Sequence, residues 1–508
     1  MALSLREAAV VGACLLLPAM LAGQADWGTD RLLLSGTLAQ YGIAADRTPG
    51  PDTVFAGAIR RTPDGEIINL FRSVDRGGSW SLIWQAAQTS ARLSNLALKT
   101  VAGVENWVCL FWIANDGQSN GDVWGVRVPY DGSTAEYLHP TVAGAPDTIR
   151  WLCATRSSAP ACTLYLFWQD ERGLAGVQRD PAIRMSGSTD FGLSWSEALE
   201  VLTGAETPAA DCGAPGYLYL AARRIGRQDI MLAQTTDGGQ NWIFSLITTD
   251  STAGNDMFPS VAASHDSAPG AWAWVSYDSN RSTGWSVRCA YTSDGGTSWI
   301  LNRVIASGTG NQFWSHLNCA GYGSRTVRVA YLGSNTGNYR VYYRGGNSPN
   351  PTNWASAITI SDRTATNTMA PVVTNYGLAA DSGDKGIIFY AEPGPDNLWY
   401  DADQFAGVAE GDTLPQGVPT RRRGTAGSLS GAIRQNELQV SFSLNEPGHV
   451  MLRLYDAGGR LKNSIVAGWR PAGSYTLRGP VPALAAGAYI LLLETETQSA
   501  TGKLVNCR

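Results

Sequence analysis

The sequence reads as all-β: short strands repeated at regular intervals, then a second, smaller β-domain. Three observations carry this reading: a turn motif that recurs along the chain, alternating apolar and polar residues between its copies, and a composition poor in charge and rich in turn formers. Only 16% of the 508 residues are charged, against 57 Gly and 18 Trp. That balance suits many short strands joined by tight turns better than long helices. The length exceeds that of a usual single domain, so two domains are expected.

The motif is S/T-x-D-x-G-x-x-W. It occurs as Ser73, Asp75, Gly77 and Trp80; as Ser188, Asp190, Gly192 and Trp195; as Thr235, Asp237, Gly239 and Trp242; and as Thr292, Asp294, Gly296 and Trp299. Self-similarity of this kind marks a repeat architecture. Each copy reads as a hairpin. The carboxylate accepts turn amides, Gly supplies a backbone conformation that other residues resist, and Trp folds under as an apolar plug. Asp75 and Asp190 lie roughly twice as far apart as the later copies, so one repeat between them lacks the motif. Tyr130, Asp131 and Gly132 take its place, and a degenerate copy runs from Gly345 to Trp354.

Around each motif the grammar is constant: an opening strand often next to Pro, an apolar second strand, a polar turn, a third strand ending in the motif, and a fourth strand. Units begin near Tyr41, Leu93, Pro140, Pro208, Phe258 and Phe313. A seventh begins at Pro371, with strands at Gly386 to Glu392 and Asn397 to Ala402 but no fourth. Asp30 to Ser35 has no unit of its own and is expected to supply that strand, closing the ring of a β-propeller. Seven blades are expected, with six as the alternative. The motif resembles the Asp-box, or BNR, repeat of sialidases and many exported propellers, over Asp26 to Phe405. That resemblance implies the fold and a structural place for the motif on the rim. Identical chemistry in every blade does not converge on one site, so the motif residues are structural.

Residues 406–434 turn to Gly, Pro, Thr and Arg and read as a linker. In 435–508, alternating strands at Glu437 to Leu444, Gly448 to Tyr455, Gly473 to Leu477 and Gly487 to Leu493 predict a small Ig-like antiparallel β-sandwich. This part resembles the type A C-terminal sorting domain of the bacterial type IX secretion system. The resemblance rests on Val450 to Arg460, Pro471 to Tyr475, Ala486 to Tyr489 and Gly502 to Val505. It departs at Leu477 to Gly479 and in the ending Asn506, Cys507, Arg508. By resemblance the partner is the type IX machinery, and the protein is delivered through the periplasm to the cell surface or medium. Residues 1–25 fit that route as a signal peptide: one Arg, an apolar stretch from Ala8 to Ala22, then Gly23 and Ala25 at the cleavage positions. No later segment is long and apolar enough to span a membrane.

Without Cys14, seven cysteines remain, and most sit inside apolar strand patterns as buried thiols. Cys153 and Cys162 flank a turn and are candidates for a disulfide. A net charge of −5 implies no basic surface and no nucleic-acid partner. No metal-ligand spacing occurs and no cofactor is implied. The loop from Asn115 to Asp122 has calcium-loop composition but lacks the closing Glu.

In a propeller, the turns between second and third strands share one face around the central channel, opposite the motif turns. Candidate channel-face residues are Asp170, Glu171, Arg172, Arg184, Arg227, Asp278, Arg281, Trp285 and Glu392. They read equally as solvated loops closed by salt bridges. A sialidase-like mechanism would need an arginine triad, a Tyr activated by a Glu, and an acid. Arg60, Arg223, Arg224, Arg288, Arg344, Tyr390 and Glu392 offer these types without assembling them. Trp112, Trp124, Trp168, Trp274, Trp285, Trp314 and Trp399 exceed what the motifs require and are either blade core or stacking platforms. Two readings follow: a non-catalytic module that binds a glycan or a surface protein, and a glycan-cleaving hydrolase or lyase. An arginine triad or paired carboxylates on the channel face favour the second, and an aromatic face the first.

Overall fold

The computed structural model divides the chain into two units, Met1–Val408 and Ala409–Arg508. It describes Asp26 to Asn506 apart from residues 28–29, 37, 48–52, 76, 103–105, 116–120, 139, 141–148, 158–161, 172–179, 249–253, 265–271, 283, 309, 320–326, 335–338, 347–353, 362–370, 377–384, 392–396, 405–423, 426–428, 435–436, 446–447, 457–460, 471, 481–486 and 495–497. The expected signal peptide, Arg172, Glu392 and most of the 115–122 loop lie outside the described residues.

After β1 (Asp26–Trp27) and β2 (Arg31–Leu34), unit 1 forms antiparallel meanders in strict chain order. Sheet I holds β3 (Leu38–Arg47), β4 (Val54–Thr62), β5 (Gly65–Ser73) and β6 (Ser81–Gln85). Sheet II holds β7 (Arg92–Ala102), β8 (Asn106–Asn115), β9 (Asp122–Pro129) and β10 (Glu136–Leu138). Sheet III holds β11 (Ile149–Arg156), β12 (Leu164–Asp170), β13 (Ala182–Ser188) and β14 (Leu199–Thr203). Sheet IV holds β15 (Ala205–Cys212), β16 (Leu218–Arg224), β17 (Ile230–Thr235) and β18 (Ile243–Leu246). Sheet V holds β19 (Asp256–Ala263), β20 (Ala273–Ser282), β21 (Gly284–Thr292) and β22 (Ile300–Ala306). Sheet VI holds β23 (Gln312–Cys319), β24 (Val327–Gly333), β25 (Arg340–Gly346) and β26 (Ile358–Thr359). Sheet VII holds β27 (Val372–Tyr376), β28 (Lys385–Ala391) and β29 (Leu398–Gln404). Its outer edge is covered from the other end of the chain: β1 pairs Trp27 with Asp403, and β2 pairs Arg31 with Tyr400 and Leu32 with Trp399.

Each sheet packs on the next, and the last packs on the first. One apolar cluster joins sheets III and IV through Phe167, Ile183, Leu218 and Leu220. Another joins VII back to I through Phe389, Ile387, Val54 and Ala56. First strands touch in the same cyclic order, ending with β27 on β3. This closed ring of radial sheets is a β-propeller. It explains why β12 and β24 are buried at every position while β18 alternates little and stays exposed. A second strand has a sheet against both faces, so its sequence is a continuous apolar run.

The motif turns pin neighbouring sheets. In sheet III, Ser188 Oγ donates to Asp190 at 2.8 Å and accepts the Gly192 amide at 2.8 Å. Asp190 also accepts the Ser194 amide at 2.9 Å. Burial opposes the Asp190 and Asp294 charges, yet hydrogen bonds led by those from Ser194 and Ser298 hold both carboxyls below the usual range. The Trp reaches across to the preceding sheet rather than folding only under its own turn. Trp195 stands edge-on to Phe111 at 5.6 Å, Trp242 to Phe167 at 6.4 Å, Trp299 to Tyr219 at 6.2 Å, and Trp80 of sheet I to Phe389 of sheet VII at 5.5 Å. In sheet II, which lacks the motif, Tyr130 packs on Phe55 of sheet I at 5.0 Å. The motif Gly is needed for its backbone at Gly239, where the space beside it is also filled by the end of a neighbouring side chain. Its φ is +96°, and a Cβ would meet Met185 of the preceding sheet at 2.5 Å.

Unit 2 has two sheets. One runs β30 (Gly424–Thr425), β37 (Gln498–Asn506), β36 (Gly487–Glu494), β33 (Gly448–Asp456) and β34 (Leu461–Arg470). The other runs β31 (Leu429–Arg434), β32 (Glu437–Leu444) and β35 (Gly473–Pro480). Leu438, Val440 and Phe442 of the second share a core with Leu452, Leu454, Leu491 and Leu493 of the first.

Three expectations are corrected. The 406–434 linker is too long: β31 pairs with β32 from Leu429↔Phe442 to Arg434↔Glu437. Its Gly and Ser residues hid a strand whose Leu429 packs on the core. No disulfide joins Cys153 and Cys162, because they face opposite sides of sheet III: Cys162 lies in the core shared with sheet II, Cys153 against that shared with sheet IV. The third unit's opening strand begins at Ile149 rather than near Pro140.

Candidate ligand site in the central channel

First strands start at the face where second strands end, as the Ile149↔Asp170 and Gln312↔Gly333 pairs record. Near that end, β7, β11, β15, β19 and β23 each carry a β-bulge: between Ser94 and Ala97, Ile149 and Leu152, Glu206 and Ala209, Met257 and Ser260, and Phe313 and His316. Inside four of these bulges a non-glycine residue adopts the left-handed conformation: Asn95 at φ 53°, Thr207 at 52°, Phe258 at 51° and Trp314 at 53°. Such backbone costs on the order of 1–3 kcal/mol per residue and persists where surroundings over-determine it.

Those surroundings come from the preceding sheet. Gln169 Oε1 accepts the Thr207 amide at 3.0 Å, and Asp278 Oδ2 accepts the Trp314 amide at 2.6 Å. Burial pushes the Asp278 carboxyl well above the usual range, against the hydrogen bonds from the Trp314 and Ser315 amides. Asn95 Nδ2 in turn donates to the Arg150 carbonyl at 2.9 Å.

The bulges open onto a central cavity of about 290 Å³ lined by the first strands of all the sheets in the ring, a size near the lower end of small-molecule sites. Its mouth is aromatic. Phe258 lies between Trp151 and Trp314, with ring centroids 6.4 Å from each, and Phe313 continues the wall from Trp314 to Tyr339 at 5.3 Å. Trp151, Phe258 and Trp314 line the cavity and are only half-buried. Deeper, the lining becomes polar with Lys99, Asp211, His316 and Asn318, alongside Asp46.

Among the described residues, the charged candidates from the second-to-third strand turns do not line this cavity. Asp170 pairs with Arg184 at 2.7 Å, Arg184 also with Glu200 at 3.3 Å, and Glu171 with Arg150 at 2.6 Å. Arg281 bridges Asp229 at 2.9 Å and Asp256 at 2.6 Å. Arg227 sits exposed in a turn, and the Trp285 amide donates to Asn311 at 3.2 Å. Asp278 serves the bulge. Of the arginines weighed for a carboxylate grip, Arg223 pairs with Glu206 and Arg288 binds Asn302; among the described residues no arginine lines the cavity. Trp112, Trp168, Trp274 and Trp399 are core, Trp124 is exposed on β9, and only Trp314 of the surplus tryptophans reaches the channel. Trp151 and Phe258 were missed as site residues. The only signal was the Pro beside several opening strands, as at Pro208 and Pro259 within two of the bulges.

No family model matches the chain, and no curated protein matches it. Among solved structures it is similar to an α-L-arabinanase of Penicillium chrysogenum complexed with arabinobiose, at TM-score 0.43 and 12% identity over 74% of this chain and 98% of that one. It is also similar to a Trypanosoma rangeli sialidase in complex with 2,3-difluorosialic acid, at TM-score 0.42 and 11% identity over 94% and 87%. A leech intramolecular trans-sialidase follows at TM-score 0.40 and 9% identity over 74% and 70%.

Proposed function

We infer that this chain is a seven-bladed, Asp-box propeller that binds a glycan at the aromatic mouth of its channel without cleaving it. One observation carries the reading: Trp151, Phe258 and Trp314, from three different sheets, are held together at a cavity mouth by bulges. Aromatic faces stack on the C–H faces of sugar rings while leaving hydroxyls to polar neighbours, here Asn95 and Thr207. The cavity's two carboxylates are already engaged. Asp46 accepts Thr100 Oγ1 at 3.0 Å and its amide at 2.8 Å, and Asp211 accepts Thr155 Oγ1 at 3.0 Å and the Ala263 amide at 2.9 Å. The glycan-cleaving alternative, hydrolase or lyase, needs a free acid and base pair at this mouth.

Screening the full mature chain against immobilised oligosaccharides tests the reading. Binding without product formation is expected, and Trp314→Ala is expected to weaken it at least about tenfold, since a stacked ring contributes roughly 1–3 kcal/mol. Release of sugar would establish the enzyme instead. A surface-protein ligand is the outcome if no glycan binds.

Unit 2 is proposed to be the Ig-like type A sorting domain that brings the propeller through type IX secretion to the surface or medium. Deleting Ala409–Arg508, the whole of unit 2, is expected to leave the propeller folded and held in the periplasm. Normal surface delivery of the truncated chain overturns the assignment.

A further inference from the structure

Below the aromatic mouth the channel carries polar groups that the fold leaves unused. Lys99 forms no ion pair among the described residues. Its charge nevertheless reaches Asp46, Cys153, Cys212 and His316, which belong to sheets I, III, IV and VI. Lys99 also lines the cavity. Asn318 Oδ1 and Thr207 Oγ1 are buried atoms with no hydrogen-bond partner among the described residues, and both residues line the cavity. A buried polar atom without a partner costs on the order of 1–3 kcal/mol, so each is open to a hydrogen bond from a ligand or from water. Burial pulls the His316 pKa down to about 4, and its Nδ1 accepts the Val373 amide at 3.4 Å. The neutral ring therefore carries its proton on Nε2 as a donor.

The register sharpens this. Counting from the bulges, Lys99, Asp211 and Asn318 occupy one level, while Ala45, Ala154 and Ala262 occupy it on the intervening sheets. Of the three small residues, Ala45 and Ala154 line the cavity and leave room among the polar ones. The level lies four residues past Asn95, at most about 13 Å at roughly 3.3 Å per residue because the bulge shortens the rise. A ligand that stacks at the mouth reaches Lys99 only if its end continues down the channel. Beside the two carboxylates already held by Thr100, Thr155 and the Ala263 amide, the lining supplies an ammonium, an imidazole donor, an amide acceptor and a hydroxyl, which suit a ring bearing several hydroxyls and no more than one carboxylate.

We propose that the channel receives the end of an oligosaccharide whose terminal residue is a hexuronic acid, with its carboxylate on Lys99, a hydroxyl on Asn318 and the next sugar against Phe258 and Trp314. This rests on the glycan reading of the mouth. One carboxylate, rather than a polyanion, also agrees with a chain of net charge −5. Asp211 on the same level disfavours a second acidic group nearby.

Calorimetric titration of the full mature chain with glucuronic acid β-linked to glucose, and with its neutral counterpart cellobiose, tests the assignment. The acid is expected to bind at least tenfold more tightly, with the ratio shrinking as salt is raised. Lys99→Met brings the ratio to about one; Lys99→Arg preserves it and covers the case in which the methionine variant fails to fold. Trp314→Ala weakens both sugars and keeps the ratio. Equal binding of the two sugars by the wild-type chain overturns the Lys99 assignment and leaves the glycan reading standing. Failure of both sugars to bind overturns both. Equal displacement of the acid by a tripeptide with a free C-terminal carboxylate assigns the cation to a peptide ligand and overturns the proposal.

Discussion

Removing Asp26 to Ser35 is expected to open the ring and lower stability by about 4–6 kcal/mol, from roughly 1 kcal/mol per lost strand hydrogen bond plus the burial of Leu33 and Leu34. Those leucines pack on the core between sheets VII and I. β2 also sends Arg31 to the Gly78 carbonyl of the sheet I motif turn at 3.0 Å, and Trp27 lies 5.0 Å from Tyr343 of sheet VI. Without these strands, β29 becomes an unpaired edge carrying Trp399 and Tyr400, a template for association between chains. Thermal melts and light scattering check both effects. A synthetic peptide of residues 26–35 is expected to restore the melting temperature when added in excess. A truncated chain that melts with the full chain and stays monodisperse would place ring closure elsewhere.

Trp195→Ala is expected to cost about 2–3 kcal/mol, below the range for emptying a fully buried aromatic site because the ring is half-buried. Two losses combine. The indole edge leaves Phe111 of sheet II, and Nε1 no longer donates to the Gly192 carbonyl at 2.9 Å. The change is felt across a sheet boundary, so the hydrogen exchange of β8 should accelerate along with that of β13. Trp124→Ala, at a side chain 41% exposed, is expected to shift the denaturation midpoint by no more than about 0.5 kcal/mol. Equal effects for the two variants would sink the pinning role.

The sheets were legible because their chemistry is local. Ser188, Asp190 and Gly192 satisfy one another within five residues, and a strand such as Leu164 to Asp170 announces burial on both faces by its composition. The partner of the motif Trp was not legible: Phe111 and Phe167 look like any core aromatic until the ring brings the preceding sheet alongside. The site was hidden for a different reason. Left-handed backbone is signalled by Gly or Asn, yet Thr207, Phe258 and Trp314 all adopt it, Thr207 braced by Gln169 and Trp314 by Asp278 of neighbouring sheets. Charged loop residues attracted attention because charge is conspicuous in a sequence. In the fold they close on each other, as Asp170 does with Arg184. β31 escaped notice because six residues with only Leu429 and Ile433 as large apolar side chains resemble a linker until β32 pairs with them.

The bulges and the motif turns sit at opposite ends of the same sheets, and that separation makes recognition a matter of single substitutions. First strands of sheets II to VI carry a backbone kink near the channel mouth, and those of sheets V and VI present Phe258 and Trp314 from it. Exchanging Phe258 or Trp314 for another residue alters what the mouth accepts without disturbing the aromatic pins at the far rim. A lineage, or a designer, can revise the ligand one sheet at a time, with the stability of the ring carried by residues that never meet it.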